Sequence, residues 1–97
     1  MYRLVFDRRA KKEFDRLGTA DRRQLQAKLR ERLIEPRIAS DALSGMQDCY
    51  KIKLRAAGVR LIYRVEDDVL VLLVVAVGRR DSRKRDAYDV AAERLKR

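Results

Sequence analysis

The stretch that decides the fold is Cys49–Val77, which reads CYKIKLRAAGVRLIYRVEDDVLVLLVVAV. Apolar and charged residues alternate through 49–54 and again through Val59–Val65, which is the period of half-buried strands. The four residues between these segments end in Gly58, so the two strands are predicted to form a hairpin. Val69–Val77 contains no polar residue, which is typical of a central strand covered on both faces.

The register of the hairpin follows from which side chains must be buried. Pairing Leu54 with Val59 places Lys53 opposite Arg60, whereas a shift of one residue would bury the lysines of the strand. Like charges that face each other directly destabilise a sheet, so this arrangement indicates an anion between them. The alternative is a solvated charged face, which is common on sheets with one face in water.

The residues before the hairpin are predicted to form one strand and two helices. The strand is Tyr2–Phe6, and the helix after it is capped by Asp7 and ended by Gly18. Thr19 or Asp21 can cap the second helix. Because both helices carry an apolar stripe, they are expected to form an antiparallel hairpin that rests on the sheet.

The remaining elements are a loop over 37–47 and a C-terminal helix. Gly78 is expected to end the third strand of the meander, and the last helix begins near Asp86. The apolar side of that helix consists of Tyr88, Ala92 and Leu95. The predicted order β-α-α-β-β-β-α belongs to the α+β class, with a helical hairpin packed on an antiparallel sheet. A chain of 97 residues is enough for one domain, which we expect to span 1–97.

The composition narrows the classes of function. Lys and Arg number 25 against 15 Asp and Glu, giving a net charge of +10, which favours a polyanionic partner such as nucleic acid. An acidic protein partner or a merely basic soluble domain would also fit this charge. The chain has no histidine and one cysteine, so we expect no zinc site, no internal disulfide and no histidine base. No apolar run is long enough to span a bilayer, and charge appears too early for a signal peptide, so a cytoplasmic protein is expected.

Five residues are predicted to meet at one end of the sheet. The third strand runs back along the second, which brings Arg80 close to Arg60 and Lys53. Tyr88 could fold over the same place, although a packed helix residue is the more ordinary expectation. Lys51, Lys53, Arg60, Arg80 and Tyr88 would together form a histidine-free site for phosphodiester chemistry. Arginines would stabilise the phosphoryl oxygens, and Lys51 or Lys53 could act as base because crowded cations lower a lysine pKa.

Two segments resemble the RelE family of toxins, within the RelE/ParE superfamily. Residues 45–63, GMQDCYKIKLRAAGVRLIY, match the family run G-x-x-x-x-Y-K-I-K-L-R-x-x-G-x-R-L-x-Y, and 77–81, VGRRD, match V-G-[KR]-R-[DE]. The resemblance implies a microbial-ribonuclease-like fold and cleavage of mRNA in the ribosomal A site without metal or cofactor. It also implies neutralisation by a RelB-type antitoxin, through which alone the toxin would reach operator DNA.

The resemblance also assigns roles to residues. Lys51 and Lys53 would transfer protons, Arg60 and Arg80 would stabilise the transition state, and Tyr88 would stack on or orient the nucleotide or share in proton transfer. The basic residues expected to grip nucleic acid are Arg22, Arg23, Lys28, Arg32, Arg55, Arg64, Arg79, Arg83 and Arg85.

One segment departs from the family pattern. Residues 81–87 form a longer stretch than the family has there, so Arg83 or Arg85 could share or replace the role of Arg80. The rival readings are a basic module that binds nucleic acid without cutting it and an inhibitor that only blocks the ribosome.

Overall fold

The computed structural model describes residues 1–79 and 86–96. Its elements are β1 (Arg3–Phe6), α1 (Arg8–Asp15), α2 (Thr19–Ile34), a short 3-10 helix (Ala39–Asp41), β2 (Cys49–Leu54), β3 (Val59–Glu66), β4 (Val71–Arg79) and α3 (Ala87–Leu95). The predicted α+β class and the order of strands and α-helices are confirmed. The loop expected over 37–47 contains the 3-10 helix and one isolated bridge, between Ala42 and Tyr50.

The four strands form one sheet in the order β1-β4-β3-β2. The β2–β3 and β3–β4 pairs are antiparallel, as expected. Strand β1 is parallel to β4, with Arg3 opposite Val71, so the expectation of a wholly antiparallel sheet was wrong at this edge. The pattern of apolar residues fixes which face of a strand is buried but not its direction beside a partner distant in sequence.

The hairpin has the predicted register. Leu54 pairs with Val59, Lys53 with Arg60 and Lys51 with Ile62. The alternation of the two strands therefore placed one cation of β2 directly opposite one cation of β3.

Strand β4 is covered on both faces, as its composition predicts. Leu72 and Val74 belong to the core under α1 and α2, whereas Val75 and Ala76 belong to the core under α3. Ile62 pairs with Ala76 but the next residue of β3 pairs with Val74, which leaves Val75 as the extra residue of a bulge. The bulge puts two consecutive side chains under α3.

Strand β4 lies two residues later than predicted. It begins at Val71 and continues through Gly78, while Val69 and Leu70 are exposed in the turn after β3. Leu70 has a φ of 54°, a left-handed conformation that ends strand geometry. Gly78 therefore lies within the strand and does not end it, since it pairs with Arg60.

Two helix boundaries also differ from the prediction. Asp7 caps α1 as expected, and its carboxylate accepts from the backbone N–H groups of the next turn. Helix α1 ends at Asp15, and Gly18 is instead the N-cap residue of α2, so neither Thr19 nor Asp21 is the cap. The turn is closed by Arg22, whose guanidinium donates to backbone carbonyls at the end of α1.

Helix α3 begins after Asp86, as predicted, with Asp86 as its N-cap. The residues buried against the sheet are Ala87 and Ala91, whereas Ala92, predicted to face the core, is exposed. Two alanines one turn apart let the helix backbone approach the sheet closely. The predicted stripe would instead have placed the larger Tyr88 and Leu95 directly against the sheet.

Candidate active site

A small cavity lies between the sheet and the N-terminal end of α3. It has a volume of about 240 Å³ and is lined by Lys53, Arg60, Asp86 and Tyr88. Strand β2 supplies the lysine, β3 the arginine, and α3 with its cap the other two. Three of the five residues predicted to form the phosphodiester site therefore do lie together.

Arg60 is the most unusual residue of the cavity. Its side chain is buried, with 9% of the residue exposed, and its Nη1 atom has no hydrogen-bond partner in the described part of the chain. Lys53 stands opposite it on β2. A buried guanidinium nitrogen without a hydrogen-bond partner is costly, so this place in the fold is suited to receive an anion.

Gly78 forms the neighbouring part of the sheet. It pairs with Arg60 on β4, and a Cβ atom placed on it would lie 3.8 Å from the Cβ of Ala87. The first turn of α3 therefore lies close against this point of the sheet, which brings Tyr88 to the cavity. Tyr88 and Leu95 are partly buried and pack on the core under α3.

Asp86 was not recognised as a site residue from the sequence. Its Oδ1 accepts a hydrogen bond of 3.0 Å from the backbone N–H of Asp89, which is the ordinary work of an N-cap. Its position two residues before Tyr88 could have identified it. Asp86 caps α3, and the first turn of α3 faces the cavity, so the cap residue lies beside the cavity as well.

The two other predicted catalytic residues do not line this cavity in the described structure. Lys51 pairs with Ile62 on the same sheet face, farther from the turn, and is half-buried. Arg80 lies outside the described residues, as do Arg83 and Arg85.

Arg32 is held inside the protein rather than displayed for nucleic acid. Its guanidinium donates to the Tyr63 hydroxyl at 2.8 Å and to Asp41 at 2.6 Å, and its side chain is 13% exposed. Tyr63 in turn donates to the carbonyl of Pro36 at 2.6 Å. Burial raises the pKa of the Tyr63 phenol, which keeps it protonated as a donor. Arg32 therefore joins α2 to the following loop and to β3, and its guanidinium is turned toward these elements.

The other predicted nucleic-acid contacts fall into two groups. Arg23, Lys28 and Arg55 are exposed. The remaining three have protein partners: Arg22 closes the α1–α2 turn, Arg64 donates to Glu66 at 2.6 Å, and Arg79 donates to the carbonyl of Ala57 at 2.8 Å. Because α2 packs on the opposite face of the sheet from α3, its cations lie away from the cavity.

Within residues 1–79 and 86–96, no three His, Cys, Asp or Glu side chains are grouped so that they could hold a metal ion. In the same part of the chain, every helix is too short or too polar to cross a membrane.

The fold and the cavity define a small basic α+β protein with a cavity on one face of its sheet that is lined by Lys53, Arg60, Asp86 and Tyr88. The family described as ParE toxin of type II toxin-antitoxin system, parDE, matches residues 4–83, and the chain belongs to this family of toxins.

Relatives within the family agree along nearly the whole length. The chain is 48% identical over 94 residues to the mRNA interferase toxin RelE of Escherichia coli (strain K12), covering 97% of both chains. The isolated E. coli RelE toxin has a similar structure, with a TM-score of 0.81, 46% identity and coverage of 98% of this chain and 99% of that one. The toxin in the intact E. coli RelBE toxin–antitoxin complex gives a TM-score of 0.81 at 51% identity, covering 84% of this chain and 99% of that one.

Proposed function

We propose that the cavity lined by Lys53, Arg60 and Tyr88 holds the phosphate at which this toxin cuts RNA. The chain is a type II toxin that cleaves mRNA, because its family is one of type II toxins and full-length relatives at 48% identity are mRNA interferases. The single observation that carries the site is the buried Arg60 nitrogen without a partner. We take residues 1–97 as one toxin domain.

The reaction we propose is attack by an RNA 2′-hydroxyl on the adjacent phosphate. The new bond forms a 2′,3′-cyclic phosphate, and the bond to the 5′-oxygen of the next nucleotide breaks. The attacking oxygen loses a proton and the leaving oxygen gains one. Negative charge collects on the phosphoryl oxygens in the transition state, where Arg60, together with Arg80, would stabilise it through charge-assisted hydrogen bonds.

Proton transfer falls to lysine and tyrosine in a chain without histidine. Lys53 lines the cavity and Lys51 does not, which favours Lys53 for the group nearest the reacting atoms, with Lys51 as electrostatic support. Tyr88 would stack on or orient the nucleotide. Free lysine and tyrosine titrate near pH 10, far from the ideal for acid–base catalysis at neutral pH. Such a site gains most when another macromolecule holds the RNA with its 2′-hydroxyl aligned for attack on the phosphate. This supports cleavage of mRNA that the ribosome holds in its A site.

The exposed members of the predicted nucleic-acid set would contact ribosomal RNA. Arg23 and Lys28 on α2 and Arg55 in the β2–β3 turn are exposed, and phosphate contacts of this kind raise affinity without reading sequence. Since α2 lies on the face opposite the cavity, we assign its cations to RNA other than the cleaved strand.

The partner we propose is a RelB-type antitoxin. RelE toxins of E. coli and of Pyrococcus horikoshii occur in complexes with RelB, and a chain of charge +10 suits an acidic protein. The antitoxin would also bring the toxin to operator DNA, and both would act in the cytoplasm, where ribosomes are. Co-expression with the antitoxin of the same operon should restore growth and yield a co-purifying complex, whereas toxicity unchanged by it would reject this pairing.

The test of the site uses a purified translation system with mapping of new mRNA 5′ ends. Wild type should cut at a fixed phase within translated codons and leave untranslated mRNA intact, and Arg60→Met should cut at least about 100-fold more slowly, as for loss of a main electrostatic group. Arg3→Met is the matched control, because it removes the same charge from an exposed position on β1 and should cut like wild type. Blocked translation without new ends would favour the ribosome-blocking or binding module instead.

A further inference from the structure

The larger apolar residues of helix α3, Tyr88, Val90 and Leu95, are only partly buried against the core under this helix. Its fully buried residues are Ala87 and Ala91, whose methyl groups fill shallow spaces. Alanine contacts permit a helix to slide or rotate by a fraction of a turn more easily than interlocked large side chains do. A helix that must present Tyr88 at a defined place therefore needs another constraint.

That constraint is an ion pair between α1 and α3. Arg94 donates to both carboxylate oxygens of Glu13, at 2.9 Å and 2.7 Å, which is the bidentate geometry of the strongest pairs. The Arg94 side chain is 11% exposed and that of Glu13 is 26% exposed. This pair is well shielded from water, unlike the exposed Lys11–Asp15 pair on α1.

The same two side chains also bind the backbone of β4. Arg94 donates to the carbonyl of Val75 at 2.8 Å, and Glu13 accepts from the N–H of Val77 at 3.0 Å. Strand β1 stops pairing with β4 at Val74, so within the described residues no strand lies beside this length of the β4 edge. The pair takes the place of a strand there, and it joins α1 on one sheet face to α3 on the other.

We propose that Glu13 and Arg94 are positioning residues for the active site. They fix α3 along the β4 edge, and thereby fix Tyr88 and Asp86 against Arg60 and Lys53. Arg94 and Tyr88 are six positions apart on one helix, a distance of about 9 Å, so a displacement at the pair is carried rigidly to the cavity. The inference rests on the proposed function only for its catalytic consequence.

The test compares Arg94→Met and Glu13→Gln with Lys11→Met, which breaks the exposed pair of α1. Each protein carries 3-fluorotyrosine, and fluorine NMR resolves Tyr88 from the other three tyrosines after assignment by Tyr→Phe variants. Arg94→Met and Glu13→Gln should shift or broaden the Tyr88 signal and leave that of Tyr63, on the opposite face, in place. In the ribosome assay, kcat should fall about 10- to 100-fold, as for misplacement of a catalytic group, with KM changed less than about threefold. Lys11→Met should change neither.

A charge exchange sharpens the result. In the double variant Glu13→Arg with Arg94→Glu, an ion pair can form again, but a cation would face the Val77 N–H and a carboxylate the Val75 carbonyl. We therefore expect no rescue of kcat or of the Tyr88 signal, whereas rescue would show that the ion pair alone positions α3 and would overturn the part given to the bonds with the β4 backbone. An unmoved Tyr88 signal in the single variants would overturn the whole proposal. If wild type failed to cut mRNA, the proposed function would fall while the NMR comparison still decided the positioning role.

Discussion

Replacing Arg60 with methionine should stabilise the free protein while it removes activity. A buried polar group left without a partner costs about 1–3 kcal/mol, and Arg60 Nη1 is such a group in the described structure. Replacing buried ions with apolar residues of similar size stabilises proteins by about 1–4 kcal/mol. Methionine keeps most of the length of the arginine side chain, so little packing is lost. We expect the free energy of unfolding to rise by about 2 kcal/mol.

Urea unfolding followed by far-ultraviolet circular dichroism measures this change. With a urea dependence of about 1.5 kcal/mol per molar, a gain of 2 kcal/mol raises the midpoint by about 1.3 M. Added phosphate should narrow the difference, because it gives the wild-type Arg60 a partner and stabilises only that protein. Arg3→Met should stay within about 0.5 kcal/mol of wild type, as exposed substitutions usually do. An Arg60→Met midpoint equal to or below that of wild type would refute the idea that Arg60 is an uncompensated buried cation.

Three further predictions concern the fold and the cavity. Tyr63→Phe removes a buried hydroxyl that donates one hydrogen bond and accepts another, so urea unfolding should show a free energy of unfolding lower by about 2–4 kcal/mol. Tyr50→Phe removes a hydroxyl that accepts a single longer bond and should lower it by less than about 1 kcal/mol. Equal losses in the two variants would contradict this. Hydrogen bonding from the Arg9 side chain lowers the pKa of Asp7, so its stabilisation is complete above the ordinary carboxyl pKa and is lost as pH falls through the native value. Asp7→Asn, which keeps a capping side chain, should flatten unfolding curves between about pH 5 and pH 2, and an unchanged pH dependence would argue against this role. Asp86→Asn also keeps a cap while it removes the carboxylate found among the described residues that line the cavity, so phosphate affinity measured by calorimetry should rise about fivefold, the equivalent of about 1 kcal/mol. Weaker phosphate binding would mean that the carboxylate itself helps to build the site.

The sequence determined the hairpin more fully than the rest of the sheet. The alternation of Lys51, Lys53 and Arg60 with large apolar residues leaves one register in which no lysine is buried, and that register is observed. The direction of β1 could not be predicted, since a short apolar strand fits a neighbour in either direction. The start of β4 was misplaced because Val69 and Leu70 have the composition of a strand while their backbone forms the turn.

The grouping of Lys53 with Arg60 could be predicted from topology, whereas the role of Tyr88 was implied by the family resemblance. The state of each side chain could not be predicted. Composition does not show which cations turn inward. Arg32 was expected on the surface because it follows other basic residues of α2, yet its partners come from the loop after α2 and from β3. No sequence pattern marked Arg94 as a positioning residue, because its partner Glu13 is 81 positions away.

Stability and cleavage, measured on the same variants, separate the roles of three buried arginines. The Nη1 atom of Arg60 has no hydrogen-bond partner in the described residues, so the loss of this side chain should raise stability and lower cleavage. Arg94 has a carboxylate and a backbone carbonyl as partners, and its loss should lower both. Arg32 donates to Tyr63, to Asp41 and, at 3.4 Å, to the backbone carbonyl of Lys51, none of which lines the cavity. Its loss should therefore lower stability and leave the cleavage rate of the folded fraction unchanged. If all three variants lost stability and activity in proportion, the activity would depend on the stability of the fold and not on the cavity. The proposed site would then have to be abandoned.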